Sequence, residues 1–502
     1  MKKFTYSITV FLFINILFIS CSDNDVVREP LPDTSDLDFS TVQVQDFIWQ
    51  GLNLFYYWKD NVPKLDNSRN DKNVSYFNLL NSSSKPDEFF ESLIYDRQNT
   101  DKWSWIVDDY IALENSFAGI NINNGIGFDL NFVKDGEPDV YGYVKYVSPN
   151  SDASNKDIKR GDVFYGVNGV QLNKDNYRNL LFGNNTFTLN FADYINANII
   201  PNGKSIEFTK YEYQENPVYV TKTFNIEGKK IGYMMYKSFN SSFNKEMNSA
   251  FGDLKSNGIT DFVLDLRYNG GGSILTSTYL ASLITGQFTG QLYAKEKWNA
   301  EIQEWLEANK PNYLNNNFID EIIETNNDNE IIFREGLNSL NLSKVYIIAT
   351  DESASASELV INGLKAYIDV ILIGDRTHGK YTGSMTIYDS ENFGREDVNP
   401  NHTWAMQPIV LETVNKLGTS IKGGIDPNHR VLEDFREMKE FGDITEPLLA
   451  KAIEVITGVA TKQTGKKEGA IKFKKIFNSE DRNKFGNQLY IEKKLPNGLI
   501  IN

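Results

Sequence analysis

Val44, Phe47, Ile48, Leu52 and Phe55 recur at helical spacing, which predicts an amphipathic helix over residues 43 to 59. Pro86-Asp87-Glu88 ahead of Phe89-Phe90 sets a proline and acids at a second helix start. Residues 43 to 112 therefore read as a small helical N-terminal unit. Its aromatics (Trp49, Tyr56, Tyr57, Trp58, Trp103, Trp105) suit core packing, and a sugar-binding surface is the other use open to them. The period then changes. Tyr141 to Val147 alternates, and Val167-Asn168-Gly169-Val170 sets a tight-turn dipeptide between apolar residues, so 113 to 220 is predicted to be a β-rich domain. From 221 to 458, the apolar runs Phe262–Leu266, Val345–Ala349 and Val370–Ile373 alternate with helical stretches, the pattern of buried strands in an α/β core. Residues 294 to 340, rich in Asn and charge, are expected to be an insertion over that core. The fold class is multidomain α/β, and the basic stretch 459 to 502 reads as a lipid-contacting tail or a loosely packed surface extension.

Composition narrows the function. At 502 residues, two to four domains with their own cores are expected. A net charge of −16 argues against nucleic acid as a partner, because phosphate binding needs a basic surface. Three histidines and one cysteine supply no metal-ligand cluster, so no cofactor is expected. Lys2 and Lys3 precede an apolar run from Val10 to Ile19, too short to cross a membrane and suited to a signal peptide over 1 to 21. Ser20-Cys21 resembles the end of a bacterial lipobox, although Phe18 stands where Leu is usual. The resemblance implies lipidation at Cys21 and a linker over 22 to 42, containing acidic Ser22 to Asp25, Pro30 and Pro32. The protein is then expected in the cell envelope, lipid-anchored to a bacterial membrane and either periplasmic or surface-exposed.

The chemistry concentrates in the α/β region. Ser353-Ala354-Ser355-Ala356-Ser357-Glu358 places a serine at a helix start, where free N–H groups and the positive dipole end favour negative charge. The same residues satisfy a capping box, in which Ser355 merely starts a helix and Glu358 reaches back. Thr377-His378-Gly379-Lys380 follows one strand later and offers a lysine that could act as a base without histidine. Such a lysine must be neutral near pH 7, about 3 units below its free value, which burial among apolar groups can supply. Glu358 must then brace the helix rather than pair with the lysine. Asp265-Leu266-Arg267-Tyr268-Asn269-Gly270-Gly271-Gly272 runs out of a buried strand into three glycines, a tight turn or a set of N–H groups exposed as an oxyanion hole.

These segments, with Gly374 and Gly423 to Asn428, resemble the C-terminal processing (tail-specific) proteases of peptidase family S41 over roughly residues 43 to 458. The resemblance implies a ClpP/crotonase-like α/β protease core. It implies Ser355 as nucleophile, Lys380 as base, and Gly271 and Ala356 as oxyanion donors. His378 replaces the usual Phe, Tyr268-Asn269-Gly270 stands where Asn-Asn-Pro is common, and Ser384 occupies the place of a Gln that orients the lysine in many relatives. The β-rich stretch resembles a PDZ domain through Gly125-Ile126-Gly127-Phe128 and Arg160-Gly161-Asp162 with Val167-Asn168-Gly169. That implies N–H groups of Ile126, Gly127 and Phe128 aimed at a peptide's terminal carboxylate. The expectation is a serine endopeptidase acting on exported proteins or peptides near their C-termini. A catalytically silent peptide-binding surface scaffold is the alternative, and a glycan-binding lipoprotein a third reading.

Overall fold

The computed structural model describes residues 37–67, 73–326, 330–459, 474–479, 488–496 and 498–499. Cys21 and the predicted signal segment lie outside them. The first helix runs Gln43–Phe55 and buries Phe47, Ile48, Trp49, Leu52 and Phe55, the face that the spacing marks out. It stops short of residue 59 because Tyr56 turns to an extended conformation and short 3-10 turns follow. The second predicted start is a short helix, Pro86–Glu91. Trp49 and Tyr56 are fully buried, so these aromatics are core.

The β-rich domain is built on one antiparallel sheet, with Ile120–Asn123 and Tyr211–Gln214 set apart as a two-stranded pair. The strand Ile126–Phe132 pairs with Val140–Val147, then come Val163–Val167, Thr186–Ile195 and Asn198–Thr209. Asn168 and Gly169 both have positive φ at the predicted hairpin turn, which suits the twist of the flanking strands. Phe128, Leu130, Phe164, Leu181 and Phe191 build its separate core.

Two sheets make the α/β core. In the first, Lys229–Tyr236, Asp261–Asp265, Lys344–Ala349, Asp369–Gly374 and His429–Arg430 run parallel, with Val218–Ile226 antiparallel at one edge. Helices on both faces explain why these strands are continuously apolar. The second sheet has the order Gly272–Ser273, Leu489–Tyr490, Thr382–Ser384, Ile409–Asn415, Leu292–Trp298, Asn315–Asn317.

Two expectations change here. Residues 294 to 340 are only partly an insertion. Leu292–Trp298 is a strand of the second sheet, paired with Ile409–Asn415 and with Tyr293 and Ala294 fully buried, while the hairpin Glu321–Thr325/Ile331–Gly336 stands apart as its own two-stranded sheet. The described part of the C-terminal extension is not loose surface. Leu489 is fully buried, Tyr490 and Ile491 nearly so, and Lys493 pairs with buried Glu296 at 2.8 Å.

Candidate active site

Ser355 follows the strand Lys344–Ala349 and is the last residue before the helix Ala356–Lys365. Its backbone sits at φ 64°, ψ −115°, a conformation a non-glycine residue avoids unless its surroundings impose it. Those surroundings are visible. Ala354 N–H donates to the Asn269 carbonyl at 3.1 Å, the Ser357 hydroxyl donates to the same carbonyl at 2.8 Å, and Ser353 Oγ donates to the Leu266 carbonyl at 2.8 Å. The loop is thus tied to the end of the neighbouring parallel strand, and Ser355 is forced out of line. Its Oγ is buried and makes no hydrogen bond to the described residues, so of the capping box only the Glu358 half, reaching back to Ser355 N–H, is formed at normal geometry. An orphaned hydroxyl in a strained turn is a poor structural feature and a suitable nucleophile.

Glu358 organises the other half. Its Oε2 accepts from Ser355 N–H and from Lys380 N–H, each at 2.9 Å. Its Oε1 accepts from Gly379 N–H at 2.6 Å and the Thr377 hydroxyl at 2.5 Å. One buried carboxylate therefore draws residues 355 and 380 together by their backbones. The Glu358 carboxyl is pushed up by burial, against the pull of these four donors.

The Lys380 side chain is 1 % exposed. Burial drives it down to about 7, opposed by the more distant charges of Asp101 and Glu358. Its Nζ lies 4.9 Å from the centre of the Trp103 ring and donates to Gln488 Oε1 at 3.2 Å. Trp103 comes from the helical N-terminal unit, where Asp101 Oδ1 accepts the Trp103 and Ser104 N–H groups and Tyr56 donates to Oδ2 at 2.7 Å. That unit thus supplies part of the wall around the lysine, through the Trp103 ring.

The glycine turn closes the site. Gly271 and Gly272 have φ of 118° and 138°, open only to glycine. A Cβ at 271 would stand 2.7 Å from Ser355 Oγ and 2.5 Å from the Gln488 carbonyl oxygen. The Gly271 N–H is taken by Asn269 Oδ1 at 2.9 Å, and the Gly272 N–H meets Gln488 O at 2.5 Å. Ala356 occupies the first helical position, whose N–H has no intrahelical acceptor. Ser384 is buried in the same site but in another role. Its hydroxyl donates to the Leu489 carbonyl at 3.1 Å and accepts from Gln407 Nε2 at 3.2 Å, so it holds the C-terminal strand rather than orienting the lysine. One side chain on Lys380 is that of Gln488, more than 100 residues downstream and with no local motif to announce it. Trp103 was visible only as one aromatic among several. His378 stacks edge-on to Trp103 at 5.3 Å and is exposed.

The loop Gly125-Ile126-Gly127-Phe128 lies in the β-rich domain, apart from these residues. It does not present an open cradle of three N–H groups. Ile126 N–H donates to Asn124 Oδ1 at 3.2 Å, and Phe128 N–H donates to Ser479 Oγ at 2.8 Å. A cavity of about 280 Å³ separates this domain from the glycine turn, lined by Phe117, Lys237, Gly271, His378, Asn478 and Tyr490 among others.

Comparison with known proteins agrees with the geometry. The model for Peptidase family S41 matches residues 230–431, and that for the Peptidase S41 N-terminal domain matches residues 43–105. The chain belongs to peptidase family S41. It is 25 % identical over 328 residues to carboxyl-terminal-processing peptidase 1, chloroplastic, of Arabidopsis thaliana, covering 63 % of this chain and 57 % of that one. The C-terminal processing peptidase, chloroplastic, of Tetradesmus obliquus is 22 % identical over 316 residues, covering 60 % of each. The match thus spans less than two thirds of these relatives. An S41 protease from Bacteroides fragilis NCTC 9343 shares the fold, with a TM-score of 0.61 at 23 % identity over 82 % of this chain and 97 % of that structure.

Proposed function

We propose that this chain is a serine-type endopeptidase with Ser-Lys catalysis, acting on exported proteins or peptides near their C-termini. Neutral Lys380 takes the proton from Ser355 Oγ as the oxygen attacks the scissile carbonyl carbon. The Gly272 and Ala356 N–H groups stabilise the developing oxyanion. As the C–N bond breaks, Lys380 returns the proton to the leaving amine, and water then releases the acyl group by the same relay. One observation carries this reading: a buried, unpartnered serine hydroxyl and a buried lysine held down to about 7 are gathered by a single carboxylate. The β-rich domain, read as PDZ-like, supplies the second contact to substrate. The names of the chloroplast relatives support the preference for C-terminal regions. A labelled peptide offered to wild type and to Ser355→Ala is the test; equal cleavage by both would refute the assignment.

The envelope location belongs to the same reading, with Cys21 as the lipid anchor. Cell fractionation of Cys21→Ser should move the protein from the membrane to the soluble fraction, and unchanged membrane association would reject the anchor.

A further inference from the structure

Two pieces of the C-terminal extension lie where a peptide substrate would be read. The first, Lys475–Asn478, adds antiparallel to the edge strand Ile126–Phe132, with Lys475 opposite Asn131 and Asn478 opposite Asp129. It therefore runs toward the glycine loop, and the loop's Phe128 N–H donates to Ser479. Phe477 packs 5.5 Å from both the Phe182 and Tyr177 rings and 6.3 Å from Phe128. Lys475 bridges Asp129 at 2.8 Å and Glu352 at 2.9 Å, joining the β-rich domain to the catalytic core. Strand addition to a sheet edge, with a side chain in a pocket, is a general way to capture a peptide.

The second piece enters the active site. Leu489–Tyr490 lies parallel to Gly272–Ser273 on one side and to Ser384 on the other. The Gln488 carbonyl takes the Gly272 N–H, and its side chain takes a hydrogen from Lys380. Gln488 O and Ser355 Oγ both lie within 3 Å of the point where a Cβ of residue 271 would stand. A scissile carbonyl needs that same space. Ser355 is fully buried with this segment in place, so a substrate must displace it.

We propose that the C-terminal extension is an internal ligand that holds the protease latent, and that an extended peptide with an aromatic side chain at the Phe477 position is the class of molecule that displaces it. This rests on the peptidase reading above. Both docking sites are made largely through main-chain hydrogen bonds, which any extended peptide can reproduce. The aromatic pocket and the Lys475 bridge give this particular segment its advantage.

The test uses the full chain carrying Phe477→Asp, which sets a carboxylate among the Phe128, Tyr177 and Phe182 rings. Amide hydrogen exchange at Phe128 to Leu130 and at Gly272 to Ser273 should accelerate. Cleavage of a labelled peptide should rise about tenfold or more, since losing a buried phenylalanine ring exceeds one decade of binding. A synthetic peptide spanning residues 474 to 496, added in trans, should reverse the gain competitively. Faster exchange with unchanged or lower cleavage would overturn the proposal, making the extension a fixed part of the working site. Unchanged exchange would overturn it as well, because Phe477 would not be the anchor. Should Phe477→Asp fail to fold, Gln488→Gly is read by the same criteria. Absence of cleavage in every form counts against the peptidase reading alone. In that event exchange protection of Ser355→Ala/Phe477→Asp by the added peptide still decides occupancy, and no protection would refute it.

Discussion

Two glycine-rich turns meet the C-terminal segment in this protein, the first at the Ser479 hydroxyl and the second at the Gln488 carbonyl, and they are built on the same device. In each, an asparagine side chain satisfies an N–H of its own turn: Asn123 takes that of Gly125 at 2.8 Å, and Asn269 takes that of Gly271 at 2.9 Å. In each, one nearby N–H is turned outward, from Phe128 in the first and Gly272 in the second. The difference lies in what crowds the glycine. A Cβ at 125 would stand 2.0 Å from Ser151 Oγ and 2.1 Å from Ser151 Cβ, at a φ of 84°, so the loop carrying Ser151 would have to shift. A Cβ at 271 would strike a backbone carbonyl and the nucleophile itself. On the function proposed above, the first turn would capture and the second would react. Capture can absorb a shift of a few tenths of an ångström, whereas a reacting carbonyl cannot be misplaced without losing rate.

The sharpest break in that comparison is at the reacting turn's partner. Ser355→Ala should lower peptide cleavage by at least about 10³-fold, because it removes the attacking oxygen of the proposed Ser-Lys pair. Because Ser355 Oγ makes no cap bond, its thermal unfolding should shift little, and a parallel scan checks this.

Lys380→Met comes next. Activity should vanish, yet the fold should gain stability at pH 7. A lysine buried with its value lowered from 10.5 to about 7 binds its proton less readily in the folded than in the unfolded state. The folded state therefore becomes more stable as pH rises from about 7 to about 10.4, and its full penalty, of order 4 kcal/mol, is felt below about 7. Denaturant unfolding of Lys380→Met should lose that slope and sit higher at neutral pH; lower stability than wild type would show that the lysine makes compensating contacts. Lys380→Arg should be as inactive as the Met variant, because a guanidinium does not deprotonate.

The two turns can then be compared directly. Gly271→Ala should cost about 10²–10³ in kcat with the substrate KM little changed, the scale of losing an oxyanion donor's alignment. Gly125→Ala should change KM by less than about tenfold and leave kcat alone. Steady-state kinetics on both variants decides the matter, and a kcat loss at 125 would erase the distinction between capture and reaction.

Much of the catalytic half was legible in the sequence. Ser355, Glu358 and Lys380 stand in short local motifs whose spacing reports strand, loop and helix start, and the three strands of apolar residues carried the parallel sheet. What was hidden came from chain distance. Gln488 reaches Lys380 from the far end of the protein, and Trp103 reaches it from the N-terminal unit, so neither carries a local pattern. That Asn269 claims the Gly271 N–H is equally hidden, a contact that depends on the turn's actual shape. Ser384 was read as the lysine's orienting partner from its position alone, whereas the strand Leu489–Tyr490 takes up its hydroxyl. Residues 294 to 298 read as insertion because Lys295, Glu296 and Lys297 mask a strand whose Ala294, Glu296 and Trp298 all face the core.

The measurement that bears most directly on the Ser355–Lys380 pair is the pH dependence of kcat/KM for peptide cleavage from pH 5 to 9. Only neutral Lys380 can accept the serine proton, so the rate should climb with pH and level off through a midpoint near 7, where burial places the lysine. A profile that is flat across that range, or that is still rising at pH 9, would contradict a neutral buried lysine as the base.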